Sequence, residues 1–324
     1  MKITVILCTY NRCESLRIAL ESVAQSSMPQ SIVWELLLVD NNSNDQTKPV
    51  LEEFKTKYPG RFRYLFEPKP GKSHALNSGI QASDSDVLAF MDDDVIVEPT
   101  WLANLTLVLN DQSYAGVGGR IVPQWKCSPP NWLPAHEKYG LAPLVMFDLG
   151  NEPGPLHEAP FGTNMAFQRS VFDRHARFRT DLGPRPGSEI RSEDTEFGQR
   201  LLNAGERLYY QPSAVVYHEV AQKRLTKEFF LKWTFDKARA DIREFGVQPG
   251  TRWFVAGVPL YLFRRLTVWI LRWMAGIDPA ARFSRKLKVW STAGAIRECY
   301  RPVHEEGSQE AAAKPPASPT PAKS

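Results

Sequence analysis

Short apolar runs alternate with amphipathic segments over the first ninety residues or so, and this alternation constrains the fold more than any other feature. Strands are predicted at Ile3–Cys8, Trp34–Asp40, Arg61–Glu67 and Val87–Met91, and helices at Glu14–Gln25 and Lys48–Tyr58. Such βα units imply an α/β domain with a parallel, two-sided sheet. Ligands of these sheets bind at the carboxyl ends of the strands.

The later part of the chain continues with mixed elements. A short run at Phe161–Phe167 precedes a helix from Ser170. A second helix is predicted to start at Ser192 as its N-cap and to end before Gly205, and Tyr209–His218 is predicted to be extended.

Three consecutive aspartates, Asp92, Asp93 and Asp94, directly follow the apolar strand VLAFM. Carboxylates so close together repel one another, and a hard divalent cation that also binds phosphate oxygens relieves that repulsion. The alternative is a solvated acidic turn. The position at the carboxyl end of a predicted strand favours the metal site.

Polar residues also follow the first two strands. The carboxyl ends of parallel strands lie at the same edge of the sheet, so these polar residues are expected to bind a nucleotide. The carboxylate of Asp40 would accept a hydrogen bond from the base or the ribose. An aspartate after a strand is also a common turn former, so that interpretation stays open. The candidate residues are Thr9, Tyr10, Asn11, Arg12 and Asp40.

Two glycine-containing motifs do not match known phosphate-binding loops. GKS at Gly71–Ser73 has Phe66 where a P-loop needs its first glycine, and GVGGRI at Gly116–Ile121 lacks the last glycine of the dinucleotide fingerprint. A P-loop site and a dehydrogenase function are therefore disfavoured. Lys72 is instead expected to neutralise a diphosphate.

The pair Glu193 and Asp194 opens a helix after the Gly/Pro-rich loop Leu182–Ser188. A carboxylate there can deprotonate an acceptor hydroxyl while the loop closes over the donor. The alternative is ordinary acid placement in a helical first turn. His218 ends the run AVVYH, and it is either a packed histidine or a metal ligand.

These pieces together resemble family 2 glycosyltransferases, which are mostly inverting enzymes with a GT-A fold. The resemblance spans roughly Ile3–Glu219. It rests on ordered blocks: VILCTYNR, ELLLVDNNSNDQT, GKSHALNSGI, AFMDDDV, FGTNMAFQRS, SEDTEFGQRLLNAG and VVYHE. It implies a GT-A type, Rossmann-like mixed sheet flanked by helices.

The resemblance also implies residue roles and partners. Asp92 and Asp94 hold a divalent cation, Mn²⁺ or Mg²⁺, which His218 completes, and Asp194 is the base, with Glu193 as the other candidate. The donor is a nucleoside-diphosphate sugar, and the acceptor is a saccharide or a lipid-linked sugar, as in bacterial surface polysaccharide synthesis. The implied substrate contacts are Thr9, Tyr10, Asn11, Arg12, Asp40, Lys72, Asp93, Thr163 and Asn164.

Composition indicates the compartment and a division of the chain. The four cysteines form no CxxC pair and are expected to be free thiols, so a cytoplasmic protein is predicted. We predict a catalytic domain at 1–220, a basic helical extension at 221–303 and a disordered tail at 304–324. Between Ala221 and Arg301 there are 17 Lys and Arg against 6 Asp and Glu, which suggests an anionic partner.

The apolar stretch Trp253–Gly276 contains Arg264, Arg265 and Arg272, which disfavour a membrane span. A basic amphipathic helix from about Pro259 is predicted instead. Its arginines lie on one face, and the other face is predicted to contact an anionic membrane on its inner side or to pack on the protein. The apolar face is Leu262, Phe263, Leu266, Trp269, Ile270, Trp273 and Met274.

Three other functions are less well supported by the sequence. No nucleic-acid-binding motif occurs, so nucleic acid is not an expected partner. A sugar-phosphate nucleotidyltransferase would have a glycine-rich first loop, whereas VILCTYNRCESL has no glycine. A nucleotide-sugar-binding protein without turnover is the remaining alternative.

Overall fold

The structure is a computed structural model that describes residues 1–110, 113–133, 141–188 and 190–300. Its main body is a twisted sheet with helices on both faces. The predicted disordered tail at 304–324 lies outside the described residues.

Within the described ranges, eleven strands occur, nine of them in one sheet. Their bounds are β1 (Lys2–Thr9), β2 (Val33–Asp40), β3 (Phe62–Phe66), β4 (Val87–Asp92), β5 (Val95–Val97), β6 (Gly116–Trp125), β7 (Gly154–Leu156), β8 (Asn164–Gln168), β9 (Leu208–Val220), β10 (Phe254–Val255) and β11 (Val258–Pro259).

The helices of the same ranges are α1 (Cys13–Ala24), α2 (Thr47–Lys57), α3 (Lys72–Gln81), α4 (Trp101–Thr106), α5 (Val171–Arg174), α6 (Glu193–Asn203), α7 (Lys227–Phe245), α8 (Leu260–Met274) and α9 (Pro279–Cys299). Short 3₁₀ turns lie at Leu107–Leu109, Ala142–Leu144 and Gln222–Arg224.

The sheet is mixed. Its order is β3-β2-β1-β4-β8-β6-β9-β5, with β7 beside β9. The pairs from β3 to β4 and the pair β6–β9 are parallel, whereas β8 is antiparallel to both neighbours. The parallel pairing inferred from the alternation is thus confirmed for the first four strands, and the mixed α/β sheet implied by the resemblance is confirmed for the whole. The sense of pairing is fixed by long-range contacts that local periodicity does not encode.

Hydrophobic burial explains why these runs became strands and helices. In β1 the side chains of Ile3, Val5, Ile6 and Leu7 are fully buried, because helices cover both faces of the central strands. α1 buries Leu16, Ala19, Leu20 and Val23, the spacing of one helical face. The predicted strands and helices of the first ninety residues are all present, with ends shifted by at most one residue.

The chain after β9 forms a helical layer of α7, α8 and α9. Helix α8 begins one residue after the predicted Pro259. Its predicted membrane face is not free: Leu262 is buried and most of the others on that face are half-buried, since α8 packs along α9. Only Met274 of that face is exposed. Packing on the protein, one of the two alternatives, thus accounts for most of this face, and its contact with a membrane stays a prediction.

No helix within the described ranges combines the length and the apolar character that crossing a bilayer requires.

Gly119 of β6 tests the packing between the sheet and the site. A Cβ there would overlap the side-chain amide of Asn164 and the carbonyl oxygen of Ala214. Because a backbone atom cannot rotate away, we expect Gly119→Ala to lower the free energy of unfolding by about 1–3 kcal/mol. The control Gly154→Ala, where a Cβ meets nothing within 4 Å, is expected to change it by less than about 0.5 kcal/mol in denaturant melts.

Candidate active site

The candidate site is a cleft of about 250 Å³ at the carboxyl edge of the sheet. The turns after β1, β2 and β4 meet there, and the loop Leu182–Ser188 and residues after β9 cover it. Its lining residues are Cys8, Thr9, Tyr10, Arg12, Asn41, Lys72, Asp92, Asp93, Asp94, Val145, Pro184, Arg185, Pro186, Gly187, Arg191, His218 and Arg224.

The three aspartates are brought together as the sequence predicted, and each contacts a cation of the chain. Lys72 Nζ lies 2.6 Å from Asp92 Oδ1. Arg12 Nη1 lies 3.0 Å from both Asp93 Oδ1 and Asp94 Oδ2. The repulsion among the carboxylates is thus offset by cations from the β1 turn and from the first residue of α3.

Arg224 lies in the 3₁₀ turn after β9, and its guanidinium lies between Asp94 and His218. Its Nη2 donates to Asp94 Oδ2 at 3.0 Å, and its Nη1 lies 2.9 Å from His218 Nε2. A guanidinium nitrogen only donates, so His218 accepts through Nε2 and carries its proton on Nδ1. His218 is 1% exposed, and its Nδ1 has no hydrogen-bond partner among the described residues.

These contacts shift the pKa values of the cluster in opposite directions. Burial alone would raise the pKa of Asp94, but the charges of Arg224 and Arg12 lower it well below its ordinary value. Burial likewise opposes ionisation of Asp92, yet the charge of Lys72 lowers its pKa. For Asp93, burial prevails over Arg12 and raises the pKa to about 6.

The turns that follow β1 and β2 are tied to each other. Asn11 has φ of 51°, its side chain accepts from the backbone N–H of Asn44, and its own N–H donates to the Ser43 hydroxyl. Thr9 donates to Asp93 at 2.6 Å. Asn11 and Thr9 position the turn and the cluster, and Tyr10, which is 42% exposed, lines the cleft.

Asp40 is 3% exposed, and both of its carboxylate oxygens have protein partners. They accept from the N–H of Ser43 and from the hydroxyl of Tyr64, each at 2.8 Å. The carboxylate therefore stabilises the turn after β2. Its predicted contact with the donor nucleoside stays a prediction.

Asn41, which the sequence analysis missed, is the residue of this turn that reaches the cleft. Its side chain accepts from Gly71 N–H at 2.7 Å and donates to the carbonyls of Glu67 and Lys69. These bonds fix the turn that starts α3, since Gly71 has φ of 136°. Lys72 is thereby aimed at the aspartates.

Glu193 and Asp194 open α6, as predicted, but differ in environment. Glu193 is 3% exposed, and its Oε1 lies 3.5 Å from Lys72 Nζ. Burial raises its pKa to about 7, and Lys72 limits that rise. Asp194 is half-buried and accepts from the N–H of Gly162 at 2.6 Å and of Thr195 at 2.7 Å, which fixes the carboxylate plane.

Ser192 occupies the predicted N-cap position of α6 but does not cap the helix with its side chain. Its side chain makes no capping hydrogen bond, and its φ is 81°. A serine in this left-handed region costs roughly 1–2 kcal/mol. Backbone strain of this kind clusters at functional sites. The residues that follow Ser192 are the two candidate bases, Glu193 and Asp194.

Thr163 and Asn164, the implied acceptor contacts, point to different places. Thr163 Oγ1 donates to Asp92 Oδ2 at 2.6 Å and so belongs to the aspartate cluster. Asn164 is fully buried, donates to the carbonyls of Arg120 and Ala214, and accepts from Trp101 Nε1. Its contacts are structural, and a contact with the acceptor stays a prediction for both residues.

The sequence analysis also missed Arg185, Arg191 and Arg224 as cleft residues. Arg185 lies on the loop Leu182–Ser188, which is held over α3 by the N–H of Lys72 donating to Pro184 O at 2.9 Å. Arg224 lies six positions after His218, and no local motif marks it as a cleft residue.

Comparison of the sequence with known families matches residues 4–176 to the model of glycosyl transferase family 2, more than half of the chain. The chain belongs to this family. The match includes the aspartate cluster and Lys72 and ends before α6, so the candidate bases and His218 lie outside it.

Relatives of this family 2 chain include a glucuronosyltransferase and a succinoglycan biosynthesis protein. It is 28% identical over 229 residues to the glucosyl-dolichyl phosphate glucuronosyltransferase of Haloferax volcanii, covering 69% of this chain and 71% of the relative. It is 26% identical over 238 residues to the succinoglycan biosynthesis protein ExoM of Rhizobium meliloti, covering 72% of each.

A solved structure supports the GT-A fold. The mannosyltransferase PcManGT from Pyrobaculum calidifontis, in complex with GDP-Man and Mn²⁺, aligns with a TM-score of 0.62. The alignment covers 92% of this chain and 87% of that one, at 16% identity. At this identity the likeness concerns the fold.

The chemistry of the aspartate cluster fits a divalent cation. In the described part of the chain no three acidic, His or Cys side chains are arranged as a ready metal site. Asp94 Oδ2 and His218 Nε2 nevertheless lie 3.7 Å apart and share one cationic group, the guanidinium of Arg224. Carboxylate and imidazole are ligands that such ions accept, and the arginines must turn away first.

The pKa of Glu193 gives a testable pH dependence. Because its folded-state value of about 7 exceeds the ordinary 4.5, the folded protein binds this proton more tightly than the unfolded chain. That contribution is complete below about 4.5 and is lost as the pH rises through 7.

Glu193→Gln removes this titration while keeping the shape of the side chain. We expect the melting temperature of the variant, relative to wild type, to increase steadily from pH 5 to pH 8. The control is Glu53→Gln, at an exposed glutamate of α2 that pairs with Arg17. Its melting temperature relative to wild type should not change with pH. A flat difference for Glu193→Gln as well would contradict the raised pKa.

Proposed function

We propose that this protein is an inverting, metal-dependent glycosyltransferase that moves a sugar from a nucleoside-diphosphate donor to an acceptor hydroxyl. The observation that carries the proposal is the cleft itself, where Asp92–Asp94 face Arg12, Lys72 and Arg224 at the carboxyl edge of the sheet. Family membership supports sugar transfer, and the mixture of carboxylates and cations suits a metal-bound diphosphate.

The cation would be held by Asp92, Asp94 and His218, and it would supply charge compensation for the departing nucleoside diphosphate. The aligned mannosyltransferase structure is a complex with Mn²⁺, which supports a divalent ion here without selecting Mn²⁺ over Mg²⁺. Arg12 and Arg224 would then leave the aspartates, and both, with Lys72, would be available to donor phosphates.

Asp194 is the proposed base. Its carboxylate is oriented by two backbone N–H groups and is more accessible than that of Glu193, which is buried beside Lys72. Asp194 removes the acceptor proton as the hydroxyl attacks the anomeric carbon from the face opposite the diphosphate, and that direct displacement inverts the anomeric configuration. Glu193 orients Lys72.

A saccharide or lipid-linked sugar is the proposed acceptor, and the inner face of the cytoplasmic membrane is the proposed place of reaction. Support comes from the relative in Haloferax volcanii that acts on glucosyl-dolichyl phosphate, and from the basic layer of α7 to α9. An anionic membrane surface would attract such a layer.

A binding protein without turnover is the remaining alternative. The oriented carboxylate of Asp194 favours an enzyme, because no contact with the donor is assigned to it. Release of nucleoside diphosphate from labelled donors in the presence of acceptor separates the two functions.

Asp94→Ala tests the metal site. We expect this change to weaken donor binding by at least about 10-fold with Mn²⁺ present and to change it little in EDTA, because only the metal-mediated part is lost. Asp84→Ala, at an exposed aspartate paired with Lys2, is the control and should bind like wild type. Equal affinity of Asp94→Ala and wild type in Mn²⁺, measured by calorimetry, would refute the metal site.

Asp194→Asn tests the base. A base acts on the acceptor proton in the transition state, so we expect transfer to fall by at least about 100-fold with donor affinity nearly unchanged. Steady-state transfer rates and calorimetric donor affinities provide the measurement, and Glu193→Gln should be milder. Turnover near the wild-type rate in Asp194→Asn would remove this residue from the mechanism, and an inactive Glu193→Gln with an active Asp194→Asn would assign the base to Glu193.

A further inference from the structure

An exposed apolar surface lies on the helical layer, beside the face of α8 that packs on α9. Its first part is the hairpin of β10 and β11, where Trp253 is 75% exposed, Phe254 50% and Val255 52%. Its second part is a row along α8 and the following turn. We call this whole set the outer surface: Trp253, Phe254, Val255, Leu260, Val268, Leu271, Met274 and Ile277.

The hairpin is anchored at its root and exposed at its tip. Val258 is fully buried with Leu262 against α7 and α9, and the N–H of Leu260 donates to the carbonyl of Trp253 at 2.9 Å. The two tip residues, Ala256 and Gly257, both have positive φ, as in the tight turns of two-residue hairpins. Large apolar side chains are therefore held in solvent by a short, well-fixed element.

The charge of this segment is one-sided. From Phe245 to Ile277 the sequence has no aspartate or glutamate, and it has four arginines. All four arginines are exposed, and Arg272 lies over the ring of Trp269 at 5.2 Å from the centroid. The arginines Arg252, Arg264, Arg265 and Arg272 thus accompany the apolar side chains of the outer surface.

We propose that the outer surface docks on an anionic lipid bilayer, with the hairpin inserted at the depth of the headgroups and the arginines on lipid phosphates. Aromatic and apolar side chains accompanied by four arginines, in a segment whose nearest acidic residues in the sequence are Glu244 and Asp278 at its two ends, fit that interface. The bilayer offers an apolar layer directly beneath negative charge. A protruding tip suits a deformable lipid surface better than a flat protein partner. This docking rests on the proposed function only in that the reaction is placed at a membrane. The residues of the outer surface would provide the contact with that membrane.

The test is sedimentation of the full chain with vesicles of phosphatidylcholine alone or mixed with phosphatidylglycerol. We expect binding to the mixed vesicles, little binding to phosphatidylcholine alone, and weaker binding as salt is raised. Trp253→Ser combined with Phe254→Ser is expected to weaken binding by about 10-fold or more. Arg264→Glu combined with Arg265→Glu is expected to weaken it by at least about 30-fold.

Two controls match these changes. Leu107→Ser removes an apolar side chain that is 59% exposed in the catalytic part of the chain, and Lys48→Glu with Lys57→Glu reverses two exposed charges on α2. Both are expected to bind vesicles like wild type. Unchanged melting temperatures of all variants ensure that the differences arise from binding.

Three outcomes would overturn the proposal: wild type that ignores mixed vesicles, binding that the controls impair as much as the outer-surface variants do, or a dimer in lipid-free solution that Trp253→Ser with Phe254→Ser dissociates. The last would assign the surface to a second copy of the chain. Vesicle binding requires neither donor nor transfer, so an inactive protein that binds vesicles would contradict the proposed function alone.

Discussion

The structure of the cleft depends on the neutralisation of three adjacent carboxylates. Asp92, Asp93 and Asp94 leave β4 at the sheet edge, where unit charges 4 Å apart interact by about 4 kcal/mol at an effective dielectric constant of 20. The chain supplies one cation from each of three places: Arg12 after β1, Lys72 at the start of α3, and Arg224 after β9. The turns around the cleft are arranged so that these cations reach the cluster.

One side chain, that of Lys72, lies between the proposed donor site at the aspartates and the proposed base at the start of α6. Lys72 contacts Asp92 on one side and Glu193 on the other, and Glu193 precedes Asp194 in the strained start of α6. A donor diphosphate and its metal would exchange with the arginines at the aspartates. Burial raises the pKa of Glu193, and the charge of Lys72 limits that rise. Displacement of Lys72 would therefore raise the pKa of Glu193 further.

The sequence predicted the parts of the fold and site that depend on local pattern. The first four strands, the aspartates at the end of β4 and the start of α6 follow from apolar periodicity and capping residues. Arg224 was missed because its partner Asp94 lies 130 residues away and no local motif marks the contact. The hydrogen bonds of Asn164 within the core and the packing of most of the apolar face of α8 on α9 were also not predicted. These are questions of tertiary packing, which periodicity does not answer.

Anomalous diffraction from crystals grown with Mn²⁺ and UDP or GDP tests the central claim, that the aspartate cluster exchanges its arginines for a metal and a diphosphate. The account predicts a manganese peak bound by Asp92, Asp94 and His218, with the diphosphate on the ion and the guanidinium of Arg224 turned from His218. Nucleotide bound in the cleft with no manganese at the cluster, and with Arg224 still joining Asp94 to His218, would contradict it.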